Sequence, residues 1–449
     1  MSDLEKPVLM KLPDNTFVDA EPYVWVSKSL YGFHASAVQW LKLLTAEVLK
    51  LDPRMKQIPT DTCLFVLHDP KQKLFILMCV HVDDIYAISS DIVVLEELLS
   101  KLDTALTERG GGVTVQSDAA QYVGVTMTEV AGGIYFSGPR HVQSLLDDWD
   151  SDEVKPKTTP FPTGLRIVPL KPEEKISKAV DFALNSFVGL VRYQNRHDIR
   201  STYAIAALAI VQDAPTAAAV KAVTHFVGYV KANPHYALYF KRLPRDKTII
   251  AMEAWADVSF ACCSVTRRSL GSLLVMINGH VVMHSAFWIK RIMTSTAQAE
   301  MYCLSKVCKD VVFLLGLFQE FQLEVEKPVP LWCDSMSTIY IAENNIINER
   351  TRHFEIDELY VRQYVDNGTV MPKWCDTKEQ LADYFNKPHS AERCAYFNKR
   401  LGMVNIKNLQ DDTTVADDAD KGLQQALTEQ LAVHETVREI TDTEGFNAT

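Results

Sequence analysis

The chain has 449 residues, of which 47% are hydrophobic, and it carries a formal net charge of −11. Its length exceeds that of one ordinary hydrophobic core, so roughly two or three domains are expected. No apolar run is long enough to cross a membrane, and the N-terminal segment MSDLEKPVLMKLP lacks the features of a secretory signal. The nine cysteines include no CxxC pair, which favours reduced structural thiols in an intracellular protein over disulfides or a zinc site.

The negative charge is concentrated at the C-terminus. Residues 411–449 contain ten Asp and Glu against Lys421 and Arg438, a local net charge of −8 that leaves −3 for the rest of the chain. Basic clusters elsewhere can therefore still bind phosphate, because local patches govern nucleic-acid binding more than total charge does. Within this tail DDTTVADDAD predicts disorder, and the apolar spacing after it predicts a helix that is either solvated or docked on a partner.

Residues 1–105 alternate between strand-like and helical patterns. WLKLLTAEVLKL has helical apolar spacing, and the near-continuous apolar segment LFILMCVHVDDIYAIS predicts a β-hairpin with Asp83 and Asp84 at its turn. Two interpretations of this acidic pair stay open. Aspartate is common in plain turns, and two adjacent acids at a hairpin tip can also serve as metal ligands.

Residues 106–245 contain a second hairpin pattern and several helical ones. The hairpin is predicted over QYVGVTMTEVAGGIYFS, and apolar helices over STYAIAALAIVQ and AAAVKAVTHFVGYVK. The Pro-rich stretch TTPFPTGLRIVPLKP predicts an extended connector. The basic segment KRLPRDK marks the boundary to the next domain.

The segment after KRLPRDK has the pattern of an independent α/β domain. Three strand-like runs follow one another, and the first of them, IIAMEAWAD, ends at Asp257. Apolar residues at helical spacing then predict a long helix over 295–321 with Glu300 in its first turns. VPLWCD predicts a fourth strand that ends at Asp334, VMPKWC predicts a fifth, and a last helix carries Asp383.

The order of these four acids is strand end, helix start, strand end and late helix, which is how an RNase H-like fold brings four carboxylates together. Four clustered carboxylates repel one another unless cations lie between them. Two Mg²⁺ ions about 4 Å apart, with Mn²⁺ as a substitute, would balance the charge and activate water against a phosphodiester. The alternative is that each acid is simply the solvated end of a strand or helix.

Short motifs occur in a fixed order between residues 4 and 404. They are KSLYGF (28–33), DTCLFV (61–66), HVDD (81–84), YVGV (122–125), NRHDI (195–199), TAQAEMY (296–302), WCDSMS (332–337), RTRHFEI (350–356) and QLADYFNKP (380–388). In this order they resemble KSLYGL, DxCLYV, YVDD, FLGI, TRPDI, STEAEY, CDNQS, RTKHIDI and QLADIFTKP of the reverse transcriptase–RNase H part of copia-type LTR-retrotransposon Pol polyproteins.

This resemblance implies an α/β (α+β) fold with four regions. Residues 1–105 would be a remnant of the reverse transcriptase palm, and residues 106–245 the end of the palm, the thumb and the connection. Residues 246–405 would form an RNase H-like domain with a five-stranded mixed sheet. Residues 406–449, the partly disordered acidic tail, have no counterpart in the family. The family also implies an RNA–DNA hybrid as partner, no membrane, and cytoplasmic virus-like particles as the place of work.

The two halves differ in the activity that the resemblance implies. Polymerase chemistry in the family needs a third Asp from an earlier strand motif beside the pair that matches Asp83 and Asp84, and the sequence contains no match to that motif. His81 also replaces the family's Tyr, so DNA synthesis is predicted to be absent. By contrast, the RNase H half has all four acids, which implies hydrolysis of the RNA strand of a hybrid by Asp257, Glu300, Asp334 and Asp383 with two metal ions.

Two alternatives stay open at this point. The chain can be a catalytically dead remnant, decayed or domesticated, that binds nucleic acid without cutting it. It can also be a fragment that was assigned the wrong start codon and belongs to a complete reverse transcriptase. The genomic sequence upstream of Met1 would separate these cases.

Overall fold

A computed structural model describes residues 3–11, 23–28, 36–109, 112–115, 121–130, 132–150, 153–174, 179–244, 249–344, 354 and 356–409. The predicted disorder and helix of the acidic tail beyond residue 409 lie outside these residues. The chain divides into two compact units. The first unit comprises Met1–Val123 and Gly316–Leu323, and the second comprises Gly124–Leu315 and Glu324–Thr449.

The first unit contains two antiparallel sheets and two helices. Its strands are β1 (Asp3–Lys11), β2 (Tyr23–Lys28), β3 (Lys56–Gln57), β4 (Leu64–Asp69), β5 (Leu74–His81), β6 (Asp84–Ser89) and β7 (Gln121–Tyr122). Its helices are α1 (Ser36–Leu51) and α2 (Ile92–Thr107). Strands β1 and β2 pair with each other, and β3, β4, β5 and β6 form a four-stranded sheet in that order.

Helix α2 shows why this unit folds as it does. Its buried residues are Leu95, Leu98, Leu102 and Leu106, a spacing that keeps them on one helical face. Asp91 caps the helix by accepting hydrogen bonds from two backbone N–H groups of the first turn. The leucine face packs on the buried side of β4 and β5, where alternate residues point into the core.

The second unit contains two further sheets. Its strands are β8 (Val125–Val130), β9 (Gly133–Ser137), β10 (Tyr236–Lys241), β11 (Met252–Ser259), β12 (Leu270–Ile277), β13 (His280–Trp288), β14 (Val329–Cys333), β15 (Val370–Trp374) and β16 (Met403–Asn405). Strands β8 and β9 form the predicted second hairpin, and β10 and β16 extend their sheet.

The helices of the second unit include one that crosses the unit boundary. They are α3 (Pro139–Trp149), α4 (Leu184–Gln194), α5 (Thr202–Ala209), α6 (Ala217–Ala232), α7 (Thr296–Glu320), α8 (Met336–Glu343), α9 (Tyr360–Asp366), α10 (Ala391–Arg400) and α11 (Ile406–Leu409). The last residues of α7, from Gly316 onwards, group with the first unit. Helices α3 to α6 share one apolar core around Phe187 and Phe226. Helix α5 is shorter than the apolar run STYAIAALAIVQ predicts, because the chain turns after Ala209.

Strands β11 to β15 form the sheet that positions the acidic residues. Its order is β13-β12-β11-β14-β15; the first three strands are antiparallel neighbours, whereas β14 and β15 run parallel to β11. The predicted α/β fold with a five-stranded mixed sheet is therefore confirmed. The stacked indoles of Trp255 and Trp332, 5.2 Å apart, join β11 to β14 across the core.

Candidate active site

The carboxyl edge of β11 and β14 gathers all four predicted acids of the second unit. Because these two strands are parallel neighbours, the ends that carry Asp257 and Asp334 meet at the same edge. Asp334 follows β14 directly, as predicted, but β11 continues two residues beyond Asp257, so Asp257 lies inside the strand. Glu300 lies in the first turns of α7, as predicted.

Asp383 reaches the cluster from a different element than the sequence predicts. It lies in a short 3₁₀ helix, Leu381–Phe385, and not in a regular last helix. The side chain of Gln380 caps this turn at Ala382 N and also donates to Ala256 O at 3.1 Å. The turn is thereby tied to β11, which brings Asp383 beside Asp257.

Asp257, Asp383 and Lys387 form the first half of the cluster. Lys387 Nζ lies 3.1 Å from Asp257 Oδ2 and 2.5 Å from Asp383 Oδ1. Burial, and next its hydrogen bond with Asp257, raises the pKa of Asp383 to about 8. Burial acts in the same direction on Asp257, but the hydrogen bond from Asp383 and the charge of Lys387 outweigh it and lower the pKa of Asp257. The two acids therefore share a hydrogen bond and one ammonium group.

Glu300, Cys333 and Asp334 form the second half. One ligand atom from each of the three lies within 4.8 Å of the others, and Cys333 Sγ lies 3.9 Å from Glu300 Oε2. Glu300 is only 4% exposed, and burial together with the charges of Asp257 and Asp334 raises its pKa well above the ordinary value. Burial and the charge of Asp257 also raise the pKa of Asp334, whose Oδ2 accepts a hydrogen bond of 2.9 Å from Thr377.

A second layer of polar side chains orients the buried acids. Asn386 Nδ2 donates to Asp257 Oδ2 and to Ser272 Oγ, each at 2.8 Å. Ser272 Oγ in turn donates to the carbonyl oxygen of Ala382, also at 2.8 Å. Strand β12 thus holds both the central acid and the turn that carries Asp383.

The residues around the four acids include some that the sequence did not single out. They are Lys387, Asn386, Cys333 and Thr377. A signal for Lys387 is present in the sequence, since it follows Asp383 by four residues in QLADYFNKP and matches the Lys of the family motif. The partners Asn386 and Thr377 lie 129 and 43 residues from the acids they contact, so no local pattern indicates them.

The chemistry of the cluster suits a divalent cation. Mg²⁺ and Mn²⁺ prefer carboxylate oxygens, and these four acids are supplied by separate elements around one buried point. Burial, and next the negative charges of Asp257 and Asp334, raise the pKa of Glu300. A bound dication would balance these charges and return the acid to its ionised form.

The other predicted acidic pair, Asp83 and Asp84, lies in a different setting. The hairpin of β5 and β6 is confirmed, but its turn is at Val82 and Asp83, because Asp84 already pairs with His81 as the first residue of β6. Val82 adopts a left-handed backbone with φ 58° and accepts a hydrogen bond from the Trp40 indole. Both acids are exposed, and among the described residues neither belongs to a metal-competent group of three.

Within the described part of the chain, no helix has the length and apolar character needed to span a membrane.

The chain is similar to known reverse transcriptases and retrotransposon Pol polyproteins. A family model described as reverse transcriptase (RNA-dependent DNA polymerase) matches residues 1–163. The Pol polyprotein from transposon RE2 of Arabidopsis thaliana is 24% identical over 408 residues, 90% of this chain and 27% of the relative. That from transposon TNT 1-94 of Nicotiana tabacum is 23% identical over 419 residues, 89% of this chain and 30% of the relative.

A solved structure of the foamy viral protease–reverse transcriptase in complex with double-stranded DNA aligns over 82% of this chain and 55% of its own, with 14% identity and a TM-score of 0.18. The chain spans less than a third of the length of the two curated relatives. Along nine-tenths of its length the chain is thus similar to copia-type retrotransposon Pol polyproteins, and its residues 1–163 match the reverse transcriptase family.

Proposed function

We propose that residues 246–405 hydrolyse the RNA strand of RNA–DNA hybrids with the help of divalent metal ions. The observation that carries this proposal is the convergence of Asp257, Glu300, Asp334 and Asp383 on one cluster with strongly perturbed pKa values. Buried carboxylates that raise one another's pKa destabilise the fold, and such groups concentrate at functional sites.

The residues of the cluster would have different roles, which depend on their positions. Glu300 and Asp334 supply the carboxylates that protein cations balance least, while Asn386 and Thr377 fix the rotamers of Asp257 and Asp334. Bound Mg²⁺ or Mn²⁺, two ions as the sequence predicts, would lower the pKa of an attacking water and stabilise the leaving 3′ oxygen. RNA would be distinguished from DNA through its 2′-hydroxyl groups and the groove shape of the hybrid.

The first unit is proposed to be inactive as a polymerase. Membership of the reverse transcriptase family covers residues 1–163, but Asp83 and Asp84 are exposed and, in the described ranges, have no third acid beside them. Two carboxylates on an exposed hairpin turn cannot hold two ions against a triphosphate as three can. Primer extension with the pure chain is expected to stay at the level of a reaction without enzyme.

A second candidate is a protein that binds nucleic acid without cutting it. Lys387 favours this candidate, because its ammonium group already balances Asp257 and Asp383 and thus reduces the demand of the cluster for metal. The two candidates differ in one outcome, which is whether a bound hybrid is hydrolysed.

The test uses the full chain and a hybrid whose RNA strand is labelled. We expect cleavage of the RNA in Mg²⁺ or Mn²⁺, none in excess chelator, and none of single-stranded RNA. Glu300→Gln should abolish it, whereas Glu253→Gln should not, since Glu253 is a half-buried acid of β11 that accepts a hydrogen bond of 3.0 Å from the Trp332 indole. Hybrid binding without cleavage in either metal would overturn the nuclease and leave the binding protein.

A further inference from the structure

Lys387 places an ammonium group between two of the four acids. Its Nζ contacts one oxygen of Asp257 and one of Asp383, whose side chains are only 3% and 9% exposed. The lysine side chain itself is 35% exposed, although its Nζ contacts the buried pair. An ammonium group at this place balances the same two carboxylates that a metal ion between them would use.

The turn around Lys387 holds it there. Lys387 follows Asp383 by four residues, and its neighbour Asn386 donates to Asp257 at 2.8 Å. His389 Nε2 lies 2.9 Å from the carbonyl oxygen of Asp383 and joins the other side of the turn. Because the ammonium group is attached to the chain, its effective concentration beside the two acids is high, and it competes well with a free ion for them.

The other half of the cluster is built differently. In the described part of the chain, the ion pairs reach Asp257 and Asp383 but not Glu300 or Asp334. Glu300 Oε2 contacts the thiol of Cys333, whose Sγ lies 3.9 Å away. Negative charge is therefore balanced by the protein in one half and left to an external cation in the other.

We propose that Lys387 takes the place of one of the two divalent ions, so that the chain without substrate binds a single ion through Glu300 and Asp334. This inference rests on the proposed metal cluster but not on its catalytic activity. A dication and the ammonium group cannot both lie between Asp257 and Asp383, since they would repel each other at contact distance. A second ion can bind only if Lys387 leaves or is removed.

The test counts ions bound to the full chain. Mn²⁺ is titrated and the free ion is measured by electron paramagnetic resonance, while melting temperatures are recorded with and without Mn²⁺. We expect one ion per chain for the wild type and for Lys387→Arg, and two for Lys387→Met. The metal-free melting temperature of Lys387→Met should fall, and its rise on adding Mn²⁺ should exceed that of the wild type. Lys399→Met, an exposed lysine on α10, is the matched control and should behave as the wild type.

The outcomes separate this inference from the nuclease. Two ions in the wild type, or no second ion in Lys387→Met, would overturn it. If Lys387→Met does not fold, the counts for the wild type and Lys387→Arg decide, because both must be one. If the wild-type chain binds one ion and cuts no hybrid, the inference about Lys387 stands and the proposed nuclease activity is wrong. If it cuts the hybrid and binds two ions, the nuclease activity stands and the inference about Lys387 is wrong.

Discussion

The two acidic clusters of this protein contain the same kind of side chain in opposite surroundings. Asp83 and Asp84 lie exposed to water at a hairpin of the first unit. Asp257 and Asp383 in the second unit are buried, bonded to each other and bound to Lys387. An acidic pair in a sequence motif therefore says little about chemistry until its surroundings are known, because burial and fixed partners are what shift a pKa.

The contrast extends to ion pairs away from the clusters. In the second unit, Asp198 and Arg200 are almost fully buried, and Arg200 lies over the rings of Tyr229 and Tyr236. In the first unit, Arg54 and Asp52 form a pair whose side chains are 36% and 15% exposed. The Asp198–Arg200 pair is thus expected to matter more for stability than the more exposed Asp52–Arg54 pair.

The largest expected difference is in hybrid cleavage between Asp334→Asn and Asp84→Asn. Asp334→Asn removes a charge that holds metal, so several kcal/mol of transition-state stabilisation and about a hundredfold or more of the rate should be lost. Its metal-free melting temperature should stay equal or rise, since repulsion with Asp257 and Glu300 is relieved. Asp84→Asn should change neither quantity. Equal cleavage rates for the two variants would show that burial does not distinguish the clusters.

The next difference is in stability between Asp198→Ala and Asp52→Ala. Removal of Asp198 leaves the buried guanidinium of Arg200 without its partner at 2.6 Å and should cost about 3–5 kcal/mol of the free energy of unfolding. Asp52→Ala breaks a pair that is more exposed and should shift the denaturation midpoint less. Urea denaturation of the two variants and the wild type measures both effects. A larger shift for Asp52→Ala would contradict the comparison.

The smallest expected difference is in the pH dependence of stability, and it involves His197. Burial lowers the pKa of His197 to about 4, against an ordinary value of 6.5, although the nearby charge of Asp198 acts in the opposite direction. Between these two pH values the unfolded chain binds a proton that the folded chain does not. The free energy of unfolding should therefore fall as the pH falls through this window, by at most about 1.4 kcal/mol per pH unit.

The variant pair that tests this dependence is His197→Leu and His81→Leu. Urea midpoints at pH 7, 6 and 5 should show a shallower slope for His197→Leu than for the wild type. Part of the slope should remain, because burial also lowers the pKa of His284 to about 4. His81 is exposed at the end of β5, so His81→Leu should keep the wild-type slope. Parallel slopes for all three proteins would show that His197 is protonated as easily in the folded chain as in the unfolded one.

The sequence predicted the elements of the acidic cluster better than its contacts. The helical spacing of apolar residues located Glu300 in the first turns of α7, and the apolar run VPLWC located Asp334 after its strand. Both follow from local periodicity, which reports the buried face of an element. The 3₁₀ turn of Asp383 and the position of Lys387 depend on bonds to β11 and β12, more than a hundred residues earlier, and periodicity carries no information on such bonds.

The hydrogen bonds that join the Asp383 turn to β11 and β12 have a consequence for folding during synthesis of the protein. Asp257 lies on the first strand of its sheet, but its amide partner Asn386 is 129 residues further along the chain. At the usual pace of translation this interval lasts about ten seconds or more. During that time a folded sheet would bury Asp257 before Asn386 and Lys387, its hydrogen-bond and ion-pair partners, have been synthesised. The strand is therefore expected to stay hydrated, and the sheet open at this edge, until the last acid and its cation have left the ribosome together.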